Sequence, residues 1–137
     1  MKKKCILYVV FFVYIAVLLR LTIFRSNTMV QRAANFRLFA DLIDVYKTAS
    51  TWQFVRLFFG NIGWFVPWGI MLPVLIKRNS LWLTVLTGLG FSFLIEITQY
   101  IFRKGFFEID DLILNAFGAI IGYGILKLVY FVKERHI

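Results

Sequence analysis

Apolar residues gather into four runs along the chain, each carrying few charges and each long enough to cross a bilayer. A helix needs about 20 mostly apolar residues to span the hydrocarbon. The runs cover about 5–24, 57–76, 81–102 and 112–132. The pattern predicts an all-α integral membrane protein, one domain over 1–137, with four transmembrane helices in an antiparallel bundle. "MKKK" has the basic character of a signal-peptide start, but no small-x-small site follows "LRLTIFRSN", so a retained helix is expected. In the second run "FVPWG" predicts a kink or break at Pro67, with Pro73 one and a half turns later. The longest connection lies between the first and second runs. Within it Phe36, Phe39, Ile43 and Tyr46 recur at helical spacing, opposite Arg37, Asp41, Asp44 and Lys47. This predicts a short interfacial amphipathic helix at about 35–47. Ser50 and Gln53 have capping-box spacing, which starts the second helix ahead of its lipid-facing part.

The polar positions inside the runs are not scattered. Ser92, Glu96, Gln99 and Arg103 are spaced four, three and four, one stripe on the third helix. Asp111, Asn115, Gly118 and Gly122 repeat that spacing on the fourth, and Gly118-x-x-x-Gly122 is a small-residue pattern that lets helices approach closely. With the helices drawn antiparallel, Arg20, Asn61, Glu96, Gln99 and Asn115 fall roughly 4–9 Å below the same edge of the apolar layer. The two stripes are expected to face each other as walls of a polar pocket open to one leaflet. Arg20, Asn61, Glu96, Gln99, Arg103, Asp111 and Asn115 are its candidate ligand-binding residues. Glu96 is costly in lipid unless paired, and Arg20, Arg103 or a pocket water are the expected partners. A purely structural ion pair is the bland alternative, and Gln99 and Asn61 read equally well as hydrogen bonds between helices. Asp110 is read as the N-cap of the fourth helix, with Asp111 in its first turn. Trp52, Trp64, Trp68 and Trp82 read as interface or packing aromatics.

Composition reinforces the membrane assignment. The 137 residues are 61% hydrophobic and 19% aromatic, more than a soluble domain of this size can hide. The net charge of +9 would suggest nucleic acid in a soluble protein. Here the basic residues sit between apolar runs, where they hold helix ends at anionic headgroups, so no nucleic-acid partner is expected. They divide evenly between the two sides. The lysine cluster before the first helix and the short basic "KRNS" link place both termini in the cytoplasm. The single cysteine, Cys5, excludes a disulfide framework and a cysteine-based zinc site, and reads as buried apolar filler in preference to a palmitoylation site. His136 reads as solvated in the basic tail. Glu108, Asp110 and Asp111 lack EF-hand spacing or a further ligand set, so neither a metal nor a cofactor is expected. No Ser-His-Asp set, P-loop or GxGxxG is present.

Three blocks occur in order: "GNIGWFVPWGIMLP" (60–73), "SFLIEITQYIF" (92–102) and "FFEIDDLILNAFGAIIGYGI" (106–125). Together they resemble the VanZ-like family over about 57–126. Its pattern is Asn before Phe-x-Pro-x-Gly, then Glu-x-x-Gln, then Asp-Asp-x-x-x-Asn-x-x-Gly-x-x-x-Gly. The family often has an arginine just before the acidic pair, a place that either Arg103 or Lys104 can take. The resemblance implies a small multi-pass protein of the bacterial cell membrane. Its namesake is associated with low-level resistance to teicoplanin, a lipid-tailed glycopeptide. The resemblance supplies no mechanism, and three readings stand. In the first, a non-enzymatic protein binds a membrane lipid or lipid-like amphiphile by its headgroup in the outward-facing pocket. In the second, an intramembrane enzyme modifies a lipid-linked envelope component, with Glu96 and Asp111 as catalytic acid and base. In the third, a structural adaptor assembles with itself or an envelope protein through Gly118 and Gly122.

Overall fold

The computed structural model describes residues 2–23, 34–35, 43, 46–47, 51–104 and 107–135. In lipid every backbone group must find its partner within the segment, and long apolar runs therefore become helices. Among the described residues four long helices form: α1 (Lys2–Ile23), α2 (Thr51–Ile76), α3 (Leu81–Ile101) and α4 (Ile109–Arg135). Each is long and apolar enough to cross a membrane. α2 starts at Thr51, ahead of its apolar stretch, as the capping spacing predicts. Two short strands, β1 (Ala34–Asn35) and β2 (Phe107–Glu108), pair in parallel, Ala34 opposite Phe107 and Asn35 opposite Glu108. Most of the expected interfacial helix at about 35–47 lies outside the described residues, as does His136. Tyr46, which is described, stands edge-on to Phe54 near the start of α2, with ring centroids 5.6 Å apart.

α2 and α4 make the closest pairing, and glycine is the reason. A Cβ on Gly118 would meet the Ile62 carbonyl oxygen, one on Gly122 the Val66 carbonyl oxygen, and one on Gly69 the Ala119 carbonyl oxygen. The two backbones therefore touch with no side chain between them. The small-residue pair on α4 faces α2, not α3, which corrects the expectation that the whole α4 stripe lines a wall opposite α3. α3 packs beside this pair, its Gly88 against the Trp68 indole with 3.3 Å from the would-be Cβ to Nε1.

An aromatic core fills the space between α1, α2 and α3. Phe91 stacks on Trp68, with centroids 5.0 Å apart and planes 16° apart, and Phe11 and Phe65 lean on the same indole at 5.7 and 6.1 Å. Trp68 is buried and donates its indole N–H to the Thr84 carbonyl at 3.3 Å, so it is a core residue and not an interface aromatic. Trp52 and Trp82 remain exposed. α1 packs most loosely of the four. Leu18 is its fully buried anchor, and two tyrosines tie it to α2: Tyr14 donates to the Trp64 carbonyl at 2.6 Å and Tyr8 to the Leu75 carbonyl at 3.4 Å. Cys5 is exposed on this helix, which corrects its reading as buried filler. The Tyr14 bond lies in the turn preceding Pro67. α2 continues through both prolines without a break, where the sequence pattern allowed one. Lipid leaves no alternative partner for an unwound backbone, so the helix runs on.

The hairpin turns share one device. α2 ends with Lys77 at φ 54° and α3 with Arg103 at φ 54°. Past α2, Arg78 N–H reaches the Pro73 carbonyl at 3.2 Å. Past α3, Lys104 N–H reaches that of Gln99 at 2.8 Å and Arg103 N–H that of Tyr100 at 3.3 Å. These are Schellman closures with a basic residue in the left-handed position that glycine usually takes. The cation suits the negative helix end, while the Cβ costs about 1–2 kcal/mol there. Arg103→Gly is expected to stabilise the fold by about 0.5–1 kcal/mol, read as a higher thermal midpoint in detergent.

Candidate functional site

Polar side chains of α2, α3 and α4 meet at one end of the bundle, opposite the chain termini, where α1 contributes a backbone carbonyl. α2 supplies Asn61, whose side-chain N–H donates to the Asp111 carboxylate in the first turn of α4. α3 supplies Ser92, which accepts from Asn115 Nδ2 of α4 at 2.7 Å, both side chains being buried. One turn further along α3, Glu96 is 3% exposed, and its Oε2 accepts the Glu108 backbone N–H at 3.1 Å. Glu96 also lies within electrostatic reach of Asp111 and Glu108. Gln99 donates to the Thr22 carbonyl at the end of α1, 3.0 Å away. The α4 stripe therefore divides, Asp111 turning to α2 and Asn115 to α3. α4 sits in the groove between them, and its polar face serves both.

Asp110 is buried, 4% exposed. The helix begins at Ile109, which places Asp110 in the first turn beside Asp111 and corrects its reading as the residue before the helix. Arg20 and Arg103 are exposed, and Lys104 is half-buried. Glu96 makes its hydrogen bond to a backbone N–H, a partner that side-chain patterns cannot announce. β2 carries that N–H, and its pairing with β1 brings the connection after α1 to the same end. Among the described residues, no three His, Cys, Asp or Glu side chains are arranged to hold a metal ion.

The layer is thus a set of hydrogen bonds that tie helices together at a depth where each polar group needs a partner. Asn61, Pro67 and Gly69 come from the first sequence block, Glu96 and Gln99 from the second, and Asp110, Asp111, Asn115, Gly118 and Gly122 from the third. Asn61–Asp111 joins the first block to the third, Ser92–Asn115 the second to the third, and Gly69 packs against the third. The family model described as VanZ/LLP1 matches residues 11–130, most of the chain. The chain belongs to the VanZ/LLP1 family. The match reaches beyond the three blocks to most of α1 and the connection after it. No curated protein and no solved structure matches this VanZ-like chain. Its blocks are far apart in sequence and mutually dependent in space, since each supplies a partner that another requires.

Proposed function

We propose that this VanZ-like protein binds the headgroup of a lipid-tailed amphiphile at the polar end of the bundle, and so contributes to teicoplanin-type glycopeptide resistance in a bacterial cell membrane. The termini are cytoplasmic in this reading, which turns the polar end to the outer leaflet. The observation that carries it is the concentration of carboxylates and amides from separate helices in one layer: Asn61, Glu96, Gln99, Asp111 and Asn115. A layer preorganised by its own hydrogen bonds offers acceptors to hydroxyl and ammonium groups at little reorganisation cost. The exposed cations Arg20 and Arg103 at its rim draw in anionic groups of the same molecule. The acyl tail stays in the surrounding lipid.

Native mass spectrometry of the purified protein tests this with two probes, teicoplanin and a glycopeptide without a lipid tail. Retention of teicoplanin alone is expected, weakened severalfold by Glu96→Gln, since one hydrogen bond contributes about 0.5–1.5 kcal/mol. No retention, or equal retention by Glu96→Gln and Asn115→Ala, would count against the proposal. The enzyme reading uses the same carboxylates, Glu96 and Asp111, which lie within reach of each other. It requires a lipid species that differs between wild-type and Glu96→Gln membranes, and identical lipid extracts end it. An adaptor docking through Gly118 and Gly122 has no support, because α2 of the same chain already covers both.

A further inference from the structure

A second feature lies at the opposite end of the bundle, roughly 24 Å along α2 from Asn61 to Lys77 at 1.5 Å per residue. A cleft of about 270 Å³ opens there, lined by Pro73, Val74, Lys77, Asn79, Leu126 and Tyr130. Its lining combines apolar Pro73, Val74 and Leu126 with the polar Lys77, Asn79 and Tyr130. Lys4 comes to the same place from α1. The Tyr8–Leu75 hydrogen bond holds α1 on α2 one turn further in, and Lys4, four residues before Tyr8, shares its helix face. The ammonium groups of Lys4 and Lys77 consequently lie close enough to interact.

Two like charges side by side at a membrane face attract an anion. Among the described residues neither lysine forms an ion pair. The described acids Glu96, Glu108, Asp110 and Asp111 all stand at the far end. Glu134 is exposed one turn beyond Tyr130 and makes no ion pair among the described residues. The negative end of α2 accounts for Lys77 at its last turn, but not for Lys4 drawn against it. A cleft lined by both apolar and hydrogen-bonding residues, with a pair of cations beside it at a membrane face, suits an amphiphile with a phosphate head. We propose that this cleft binds an anionic phospholipid of the leaflet at the terminal end, its phosphate between Lys4 and Lys77 and its glycerol and upper chain along Val74 and Leu126. Asn79 and Tyr130 donate to the headgroup oxygens.

The site is independent of the layer around Glu96, and the test keeps them apart. The full-length protein is purified and titrated with phosphatidylglycerol, with phosphatidylcholine of the same chains, and with soluble glycerol phosphate, retention being read by native mass spectrometry. Phosphatidylglycerol is expected to be retained over phosphatidylcholine. Lys4→Gln/Lys77→Gln should weaken it by roughly fivefold for each charge removed. Lys127→Gln/Arg135→Gln removes the same charge from a neighbouring face, where the two cations sit over the Tyr123 and Phe131 rings. That control should leave retention within about twofold. Val74→Trp, which fills the cleft and changes no charge, should also reduce retention. If the control double variant weakens binding as much as the lysine pair, general surface charge accounts for the effect and no site exists. If glycerol phosphate competes at equal concentration, the cleft holds free phosphate esters and the lipid assignment is wrong. Loss of teicoplanin binding in Glu96→Gln leaves this result untouched.

Discussion

Gly118→Ala is expected to be among the most damaging single-methyl changes in this protein. The added Cβ runs into the Ile62 carbonyl oxygen and also stands 3.0 Å from Phe65 Cβ. The obstacle is helix backbone and cannot step aside as a flexible side chain would. Either α2 and α4 separate along their whole contact or the helix bends, and overpacking of this kind costs about 1–3 kcal/mol or more. Gly122→Ala meets the Val66 carbonyl and stands 2.9 Å from Gly69 Cα, while Gly69→Ala meets the Ala119 carbonyl and the Tyr123 nitrogen. The three positions form one seam, so their effects should be comparable and less than additive. Separating the helices also pulls Asn61 from Asp111, and the damage extends to the polar layer. The protein carries its own controls. A Cβ at Gly60, Gly63, Gly90 or Gly124 meets nothing within 4 Å. Alanine there should be neutral or stabilising by up to about 1 kcal/mol, because glycine is a poor helix former. Thermal unfolding in detergent across the seven variants separates the two classes. If Gly118→Ala unfolds with Gly90→Ala and not well below it, the close approach of α2 and α4 is wrong.

That seam shows what the sequence pattern could and could not disclose. Four helices were legible because crossing a bilayer demands apolar length, and that demand leaves a run no other element mimics. The gathering of Asn61, Glu96, Gln99, Asp111 and Asn115 at one end was legible because residues four and three apart share a face and antiparallel helices share depths. Periodicity assigns a face to a helix but does not say which neighbour the face meets. Asp111 and Asn115 lie on one stripe, yet one turns to α2 and the other to α3. Backbone partners leave no side-chain signature either. Gln99 bonds to the carbonyl of Thr22 and Glu96 to the N–H of Glu108, and each link was invisible as a pair of residue types. At Trp68 and Pro67 the pattern left two outcomes open: the Thr84 carbonyl that receives the indole N–H decides for packing, and α2 runs on through Pro67 without a break. The left-handed closures at Lys77 and Arg103 lacked the glycine that would have marked them.

The Glu96–Glu108 bond carries the second large effect, and it separates what Glu96 does for the fold from what it does for a ligand. Glu96→Leu matches the volume but removes the acceptor, leaving the Glu108 N–H half-buried at a membrane face with no carboxylate to receive it. Loss of a buried acceptor of this kind costs about 1–3 kcal/mol. The cost falls on the α3–α4 connection, because Glu108 belongs to β2, and β2 in turn holds β1. Glu96→Leu should therefore loosen Phe107–Glu108 and its partner strand before it unfolds the helices. Amide hydrogen exchange at Glu108 is the direct readout, with protection lost by roughly tenfold to a hundredfold, the exchange equivalent of that free energy. Glu96→Gln keeps a carbonyl oxygen at the same reach and should preserve protection within about threefold. Equal exchange in wild type and Glu96→Leu would mean that the carboxylate does not hold the connection. With Glu96→Gln intact as a fold, any loss of teicoplanin retention in that variant belongs to the ligand. If Glu96→Gln loosens the connection as much as Glu96→Leu, its binding data report on structure alone, and Asn115→Ala becomes the variant that decides whether the layer holds a headgroup.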